Sequence, residues 1–192
     1  MSATYDGSYG NGARDGTYDQ DFTGGVVVGP AHTITLFGNA WKAYKLDKPY
    51  TVTRDTRLKF HFAMLLEAEG HAICIDNDKN EDTFGGARIR CFMLGGSEMS
   101  SWDHVKKLSV FGPNRTDLCA SEEIDISIGD FFSENGATIN YISFIQDNDA
   151  SPDVGESAFE SITLYEEVDD NFGQLVRMTL KLQSINYPVL FK

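Results

Sequence analysis

From Val26 onward, apolar and polar residues alternate with a period of two along much of the chain. In residues 57–65, Leu58, Phe60, Phe62 and Met64 share one face, while Arg57, Lys59, His61 and Ala63 share the other. Strict alternation of this kind marks a strand buried on one face only. Residues 87–94 alternate Arg88 and Arg90 with Ala87, Ile89 and Cys91. Shorter strand-like runs occupy 26–28, 32–37, 40–46, 50–53, 71–75, 106–112, 123–129, 138–146 and 159–166. Turn signals such as Gly29-Pro30, Gly38-Asn39 and Asp47-Lys48-Pro49 separate them at intervals of about ten residues, the spacing of a sandwich or barrel. No amphipathic helical stretch of convincing length interrupts the series. The pattern predicts an all-β fold.

The two ends depart from this pattern. Residues 1–25 are rich in Gly, Tyr, Asp and Ser and have no apolar period, which predicts a disordered, flexible N-terminal arm. Its spaced tyrosines, Tyr5, Tyr9 and Tyr18, leave open the alternative of an arm that docks on a neighbouring subunit. Residues 26–168 form the expected β-sandwich domain. Residues 169–192 form a C-terminal extension, set off by the acidic break at 166–173. Within it, Val176, Met178, Leu180 and Leu182 oppose Arg177, Thr179, Lys181 and Gln183. This predicts an extra strand, either beyond the main domain or paired with another subunit. The apolar tail 186–192 is expected to dock or swap, because an uncovered apolar edge is a liability.

Two strand-like runs end in the same three residues. His71–Ile75 leads into Asp76-Asn77-Asp78, and Tyr141–Gln146 leads into Asp147-Asn148-Asp149. Asp76, Asp78, Asn80 and Asp82 alternate like the start of a calcium loop, because a hard cation needs several oxygen ligands at short range. The stretch is not an EF-hand: Glu81 stands at the turn glycine and Ala87 at the closing glutamate. If the two runs are neighbours in one sheet, the tips are expected to converge. Asp76, Asp78, Asp82, Asp147 and Asp149 would then be calcium ligands. The competing reading is turn chemistry, since Asp and Asn side chains bond to nearby backbone in turns.

Composition narrows the partners. The chain has 192 residues, 13 Phe and 8 Tyr, and a formal charge of −13. Such a field disfavours nucleic acid and anionic membranes and attracts cations. No run approaches the ~20 apolar residues of a membrane helix. The start lacks a signal-peptide pattern, so an extracellular processed module and an intracellular soluble protein both stay open. The three cysteines, Cys74, Cys91 and Cys119, include no Cys-x-x-Cys pair. An odd count argues against a disulfide framework or a zinc site, and Cys74 and Cys91 are expected as small buried hydrophobes, with a single disulfide left open.

Several stretches together resemble one family. They are residues 38–62 (GNAWKAYKLDKPYTVTRDTRLKFHF), 71–80 (HAICIDNDKN), 122–150 (EEIDISIGDFFSENGATINYISFIQDNDA) and 157–166 (SAFESITLYE). They look like a β-sandwich module family that is similar to jelly-roll carbohydrate-binding modules and usually accompanies polysaccharide-acting enzymes. The resemblance runs from about Ile34 to Glu166. It implies a jelly-roll β-sandwich of two antiparallel sheets and a non-catalytic, lectin-like function with a polysaccharide or glycan as partner. Sugar sites combine an apolar floor with a few placed polar groups. On that basis Trp102 in residues 97–107 is the candidate platform, with Trp41 expected in the core. His61, Arg88, Arg90 and Tyr141 are candidate ligand-binding groups. An alternative is a structural, self-assembling protein whose terminal extensions join subunits into a homo-oligomer. A minor alternative is a jelly-roll polysaccharide lyase using Tyr141, His61 and Arg88. No GxSxG, HExxH or phosphate-cradling motif occurs.

Overall fold

The computed structural model describes residues 24–29, 33–77, 91–98, 106–108, 120–132, 137–150, 154–168 and 176–181. One sheet contains β1 (Gly25–Val28), β2 (Ile34–Phe37), β10 (Glu156–Val168), β4 (Thr56–Leu66) and β8 (Glu122–Ser127) in that order, with β11 (Val176–Lys181) also on β10. The other contains β3 (Ala40–Thr51), β9 (Thr138–Asp147), β5 (Gly70–Asp76), β6 (Cys91–Gly95) and β7 (Lys106–Lys107). A single turn of helix, α1 (Gly129–Phe132), follows β8. The expected strands at 40–46 and 50–53 fuse into β3 across Pro49. Proline is tolerated there because β3 lies at a sheet edge, and the register shifts between Lys45 and Tyr50.

The pairing makes this a jelly roll. β2 pairs with β10, β3 with β9, β4 with β8 and β5 with β6, all antiparallel. The chain is thus one long antiparallel ribbon, folded at the β5–β6 connection. Rolling that ribbon brings β10 against β4 and β9 against β5, which closes the two sheets. Only the short β6–β7 pair is parallel among the described pairs. The C-terminal extension joins the sandwich: Val176 through Lys181 pair with Val168 through Thr163 of the same chain. The extra C-terminal strand that the alternation at 176–182 predicts is thus present, and it pairs with its own chain rather than with another subunit.

The inner faces meet as the period-two pattern requires. Leu58, Phe60, Phe62 and Met64 of β4 are buried in one cluster with Ile73, Ile75, Phe92, Phe144 and Phe159. Phe159 sits among three rings, with centroids 6.2 Å from Phe60, 4.9 Å from Phe62 and 5.0 Å from Phe144. A second cluster, Trp41, Ala72, Cys74, Cys91, Met93 and Ile145, lies on the opposite face of the β3-containing sheet. Every residue of β5 is buried as a result. Cys74 and Cys91 are directly opposed in the β5–β6 pair and form a disulfide. The expectation of free buried thiols is corrected here. Sequence spacing cannot reveal that two apolar strands 17 residues apart place their sulfurs face to face.

β10 carries a bulge opposite Phe60, where two residues, Ser161 and Ile162, stand between the pairs Glu160–His61 and Thr163–Lys59. Ser161 absorbs it with φ 53°, in the left-handed region that a β-carbon disfavours. Its side chain is exposed, so glycine removes the strain without opening the core. Ser161→Gly is expected to stabilise the protein by about 0.5–1 kcal/mol, measured by urea unfolding.

Candidate functional site

β5 and β9 are neighbours, but they run antiparallel. Asp76 lies opposite Tyr141, and Asp147 lies opposite Gly70. The two acidic tips therefore stand at opposite ends of one strand pair, about 20 Å apart at ~3.3 Å per residue. They do not converge on one cation. That expectation needed parallel ends, which an antiparallel pair cannot supply.

At the first tip, buried Asp76 accepts the Asn77 backbone N–H at 2.6 Å, and Asn140 Nδ2 donates to the Asn77 carbonyl at 2.6 Å. This is the turn chemistry by which Asp and Asn satisfy local backbone. Asp78 and Asp82 lie outside the described residues. At the second tip, the middle residue does similar work. Asn148 is buried, its N–H donates to Asn39 Oδ1 at 3.1 Å, and its Nδ2 donates to the Val154 carbonyl at 2.7 Å.

The second tip also gathers charge. Trp41 Nε1 donates to Asp147 Oδ1 at 3.3 Å, and the Ala150 N–H donates to Glu69 Oε2 at 3.2 Å. Burial pushes the Asp147 carboxyl up to about 7, and repulsion from Asp149, Glu69 and Glu98 adds to the shift against the Trp41 bond. The Glu69 carboxyl is also raised, first by burial and then by Asp149 and Glu98, while the Ala150 N–H opposes it. Glu98 reaches this cluster because Gly96 adopts φ +123°, letting Ser97 and Glu98 donate to the Ala68 and Glu69 carbonyls. A β-carbon at Gly96 would lie 2.4 Å from the Glu69 carbonyl oxygen. Among the described residues, no three His, Cys, Asp or Glu side chains are close enough together to hold a metal ion.

Asp147 and His71 titrate in opposite senses. His71 is fully buried against Phe62, its Nε2 accepts the Ala68 N–H at 3.1 Å, and burial lowers it to about 3. The raised Asp147 group stabilises the fold below its unfolded value near 3.8, and that contribution disappears as pH rises through about 7. The depressed His71 group is harmless above 6.5 and costs stability as pH falls from there toward about 3. Between roughly pH 4 and 6.5 the two slopes cancel. Asp147→Asn removes one of them. The variant is expected to gain on the wild type by on the order of 2–4 kcal/mol between pH 4 and pH 8, and to lose stability on acidification below pH 6.5. Urea melts across that range check both.

The candidate ligand-binding groups do not assemble. His61 is on the outer face of the β4-containing sheet, 3.6 Å from Glu123. Its neighbours there form a charged ladder, with Lys59–Glu123 at 2.7 Å, Arg57–Asp125 at 2.9 Å and Arg57–Glu167 at 3.0 Å. Tyr141 lies on the outer face of the other sheet, in one row with Lys45 and Asp76. The whole sandwich separates the two, so the lyase set of Tyr141, His61 and Arg88 cannot line one groove. Arg88, Arg90 and Trp102 lie outside the described residues. Trp41 is buried as expected, but on the outer cluster and bonded to Asp147. Glu69 and Glu98 belong to no motif in the sequence: Glu69 reaches the tip because it precedes Gly70, which pairs with Asp147, and Glu98 because the turn at Gly96 carries it there.

The broad outer face of the β3-containing sheet is not an open platform. Trp41, Ile145, Ala72 and Met93 form one row across it; Ala43, Ser143, Cys74 and Cys91 form the next. All eight are buried. No family model, curated protein or solved structure matches this chain.

Proposed function

We propose that this jelly roll is a non-catalytic, glycan-binding module whose ligand contacts are carried by the connections between β5, β6 and β7. The observation that carries the reading is the buried Cys74–Cys91 bridge, which ties β5 to β6 at the root of the 77–90 connection. Long connections held by a rigid scaffold are where proteins place binding residues. Arg88 and Arg90 belong to this connection, and Trp102 belongs to the next. Guanidinium groups and an indole suit a sugar bearing carboxylates or sulfates. A disulfide also fits an oxidising, extracellular setting. Calcium, if the module uses it, would act at each acidic tip separately, for the tips are apart.

A glycan array followed by titration tests this. Binding of at least one acidic glycan is expected, with Arg88→Ala, Arg90→Ala and Trp102→Ala each weakening it about ten-fold. Retention of no glycan, with or without calcium, would remove the reading. The self-assembly alternative loses one support, since β11 completes a sheet of its own chain.

A further inference from the structure

The β1 edge carries a short uncharged strand with its backbone turned outward. Gly29 N–H donates to the Thr33 carbonyl at 2.8 Å, and the register pairs Val27 with Thr35 and Gly25 with Phe37. In an antiparallel ladder, alternate residues turn their N–H and C=O groups to opposite sides. Gly24, Val26 and Val28 therefore turn theirs away from β2, and no described strand pairs with β1 on that side. The Gly24 carbonyl accepts from Lys42 Nζ at 3.3 Å, which leaves the groups of Val26 and Val28 at the edge. Other sheet edges are guarded by charge: β8 carries Glu122, Glu123 and Asp125, and β3 carries Lys45, Asp47 and Lys48. β1, reading Gly-Val-Val-Val, has no charge, and Val27 at 55% is the most exposed large apolar residue described. Unguarded edges of this kind accept another strand.

We infer that the strand is β1 of a second copy of this chain, paired antiparallel about a two-fold axis through Val27. In that register Val26 stands opposite the partner's Val28, and Val28 opposite the partner's Val26. Both are hydrogen-bonded pairs, so the outward groups of all four residues are satisfied. Val27 meets its own copy on the axis, in the kind of pair where side chains approach most closely. Gly25 and Gly29 face one another at the two ends, with no side chain to obstruct. The neighbouring two-fold registers fail. An axis through Val26 sets Val28 against the partner's Gly24, whose carbonyl already accepts from Lys42. An axis through Val28 sets Val26 against the partner's Pro30, which has no N–H to give. A slip by one residue sets outward groups against inward ones. Charge favours the same occupant. No like charges meet across the axis, and the repulsion of two chains at −13 each is screened beyond ~8 Å at physiological salt. One short strand pair buries far less than the roughly 1,600 Å² of a standard interface, so the dimer is weak, with Kd on the order of 100 µM.

Analytical ultracentrifugation of the full chain, from about 1 µM to about 1 mM and at low and high salt, tests this. A monomer–dimer equilibrium is expected that tightens as salt rises, because salt screens only the repulsion. Val27→Glu places two carboxylates on the axis and should weaken the dimer ten-fold or more. Val28→Pro removes an outward N–H from each copy but none that β2 uses, and should weaken it as much. Val27→Thr keeps the β-branched shape and should dimerise within about two-fold of the wild type. Unchanged melting curves confirm that all three variants fold. Amide exchange at Val26 and Val28 should slow only at concentrations where the dimer forms. A monomer at every concentration overturns the inference. So does a dimer that survives both Val27→Glu and Val28→Pro, for it would use another surface. So does a dimer that weakens with salt. Protection of Val26 and Val28 that is independent of concentration also overturns it, for the strand would then belong to the same chain.

Discussion

Replacing Phe159 by alanine is expected to cost the fold about 3–5 kcal/mol, the range for removing a fully buried aromatic. Phe159 has no exposure and touches rings from both sheets, Phe60 and Phe62 from β4 and Phe144 from β9. Its strand, β10, pairs with β2, β4 and β11, so a void there lies under the most connected strand described. The three neighbouring rings are held by sheets on both sides and can collapse only in part. That pushes the cost toward the upper end. Phe159→Leu keeps most of the volume and is expected to cost less than half as much, about 1–2 kcal/mol. Urea unfolding monitored by near-ultraviolet circular dichroism distinguishes the two. Equal costs would mean that ring packing at this site matters little.

Loss of the Cys74–Cys91 bridge is expected to cost about 3 kcal/mol, the loop-closure value for a ring of this size. The double variant Cys74→Ala/Cys91→Ala measures it without leaving a buried thiol pair. The bridge also shields itself. Both cysteines are buried within the Trp41, Ala72, Met93 and Ile145 cluster, so a reductant reaches the sulfurs only when that face opens. Reduction of the native protein should therefore track unfolding, slow in buffer and faster as urea rises. The bridge closes the β5–β6 connection, and its loss should release residues 77–90 more than the distant β10 strand. If glycan binding follows the proposed route, affinity should fall in the double variant at temperatures where the sandwich is still folded.

The core of this fold was legible in the chain. Period-two alternation at 57–65 named the four inward residues of β4, and the turn signals separated most of the strands. The resemblance at residues 38–62, 71–80, 122–150 and 157–166 implied the jelly roll that the pairing shows. These features are local, or depend only on which face a residue must bury. Pro49 and Ser161 mark where local rules gave way. A sheet edge accepts the proline, and a bulge forces the serine into a conformation that its own chemistry disfavours.

What tertiary structure alone decided is relative placement. Composition and spacing supplied two acidic tips, three cysteines and a set of candidate binding residues, but a list of residues carries no direction. The antiparallel sense of β5 and β9 sends Asp76 and Asp147 to opposite ends. The opposition of β5 and β6 turns two of the cysteines into a bridge. The two-layer architecture puts His61 and Tyr141 on opposite outsides, and the turn at Gly96 carries Glu98 to Glu69 and Asp147. By itself the sequence determined which face of an alternating strand such as β4 turns to the core, because that follows from the alternation of side chains along one strand. Which strands meet, and which way they run, is settled by long-range pairing, whose information is spread over residues far apart in the chain.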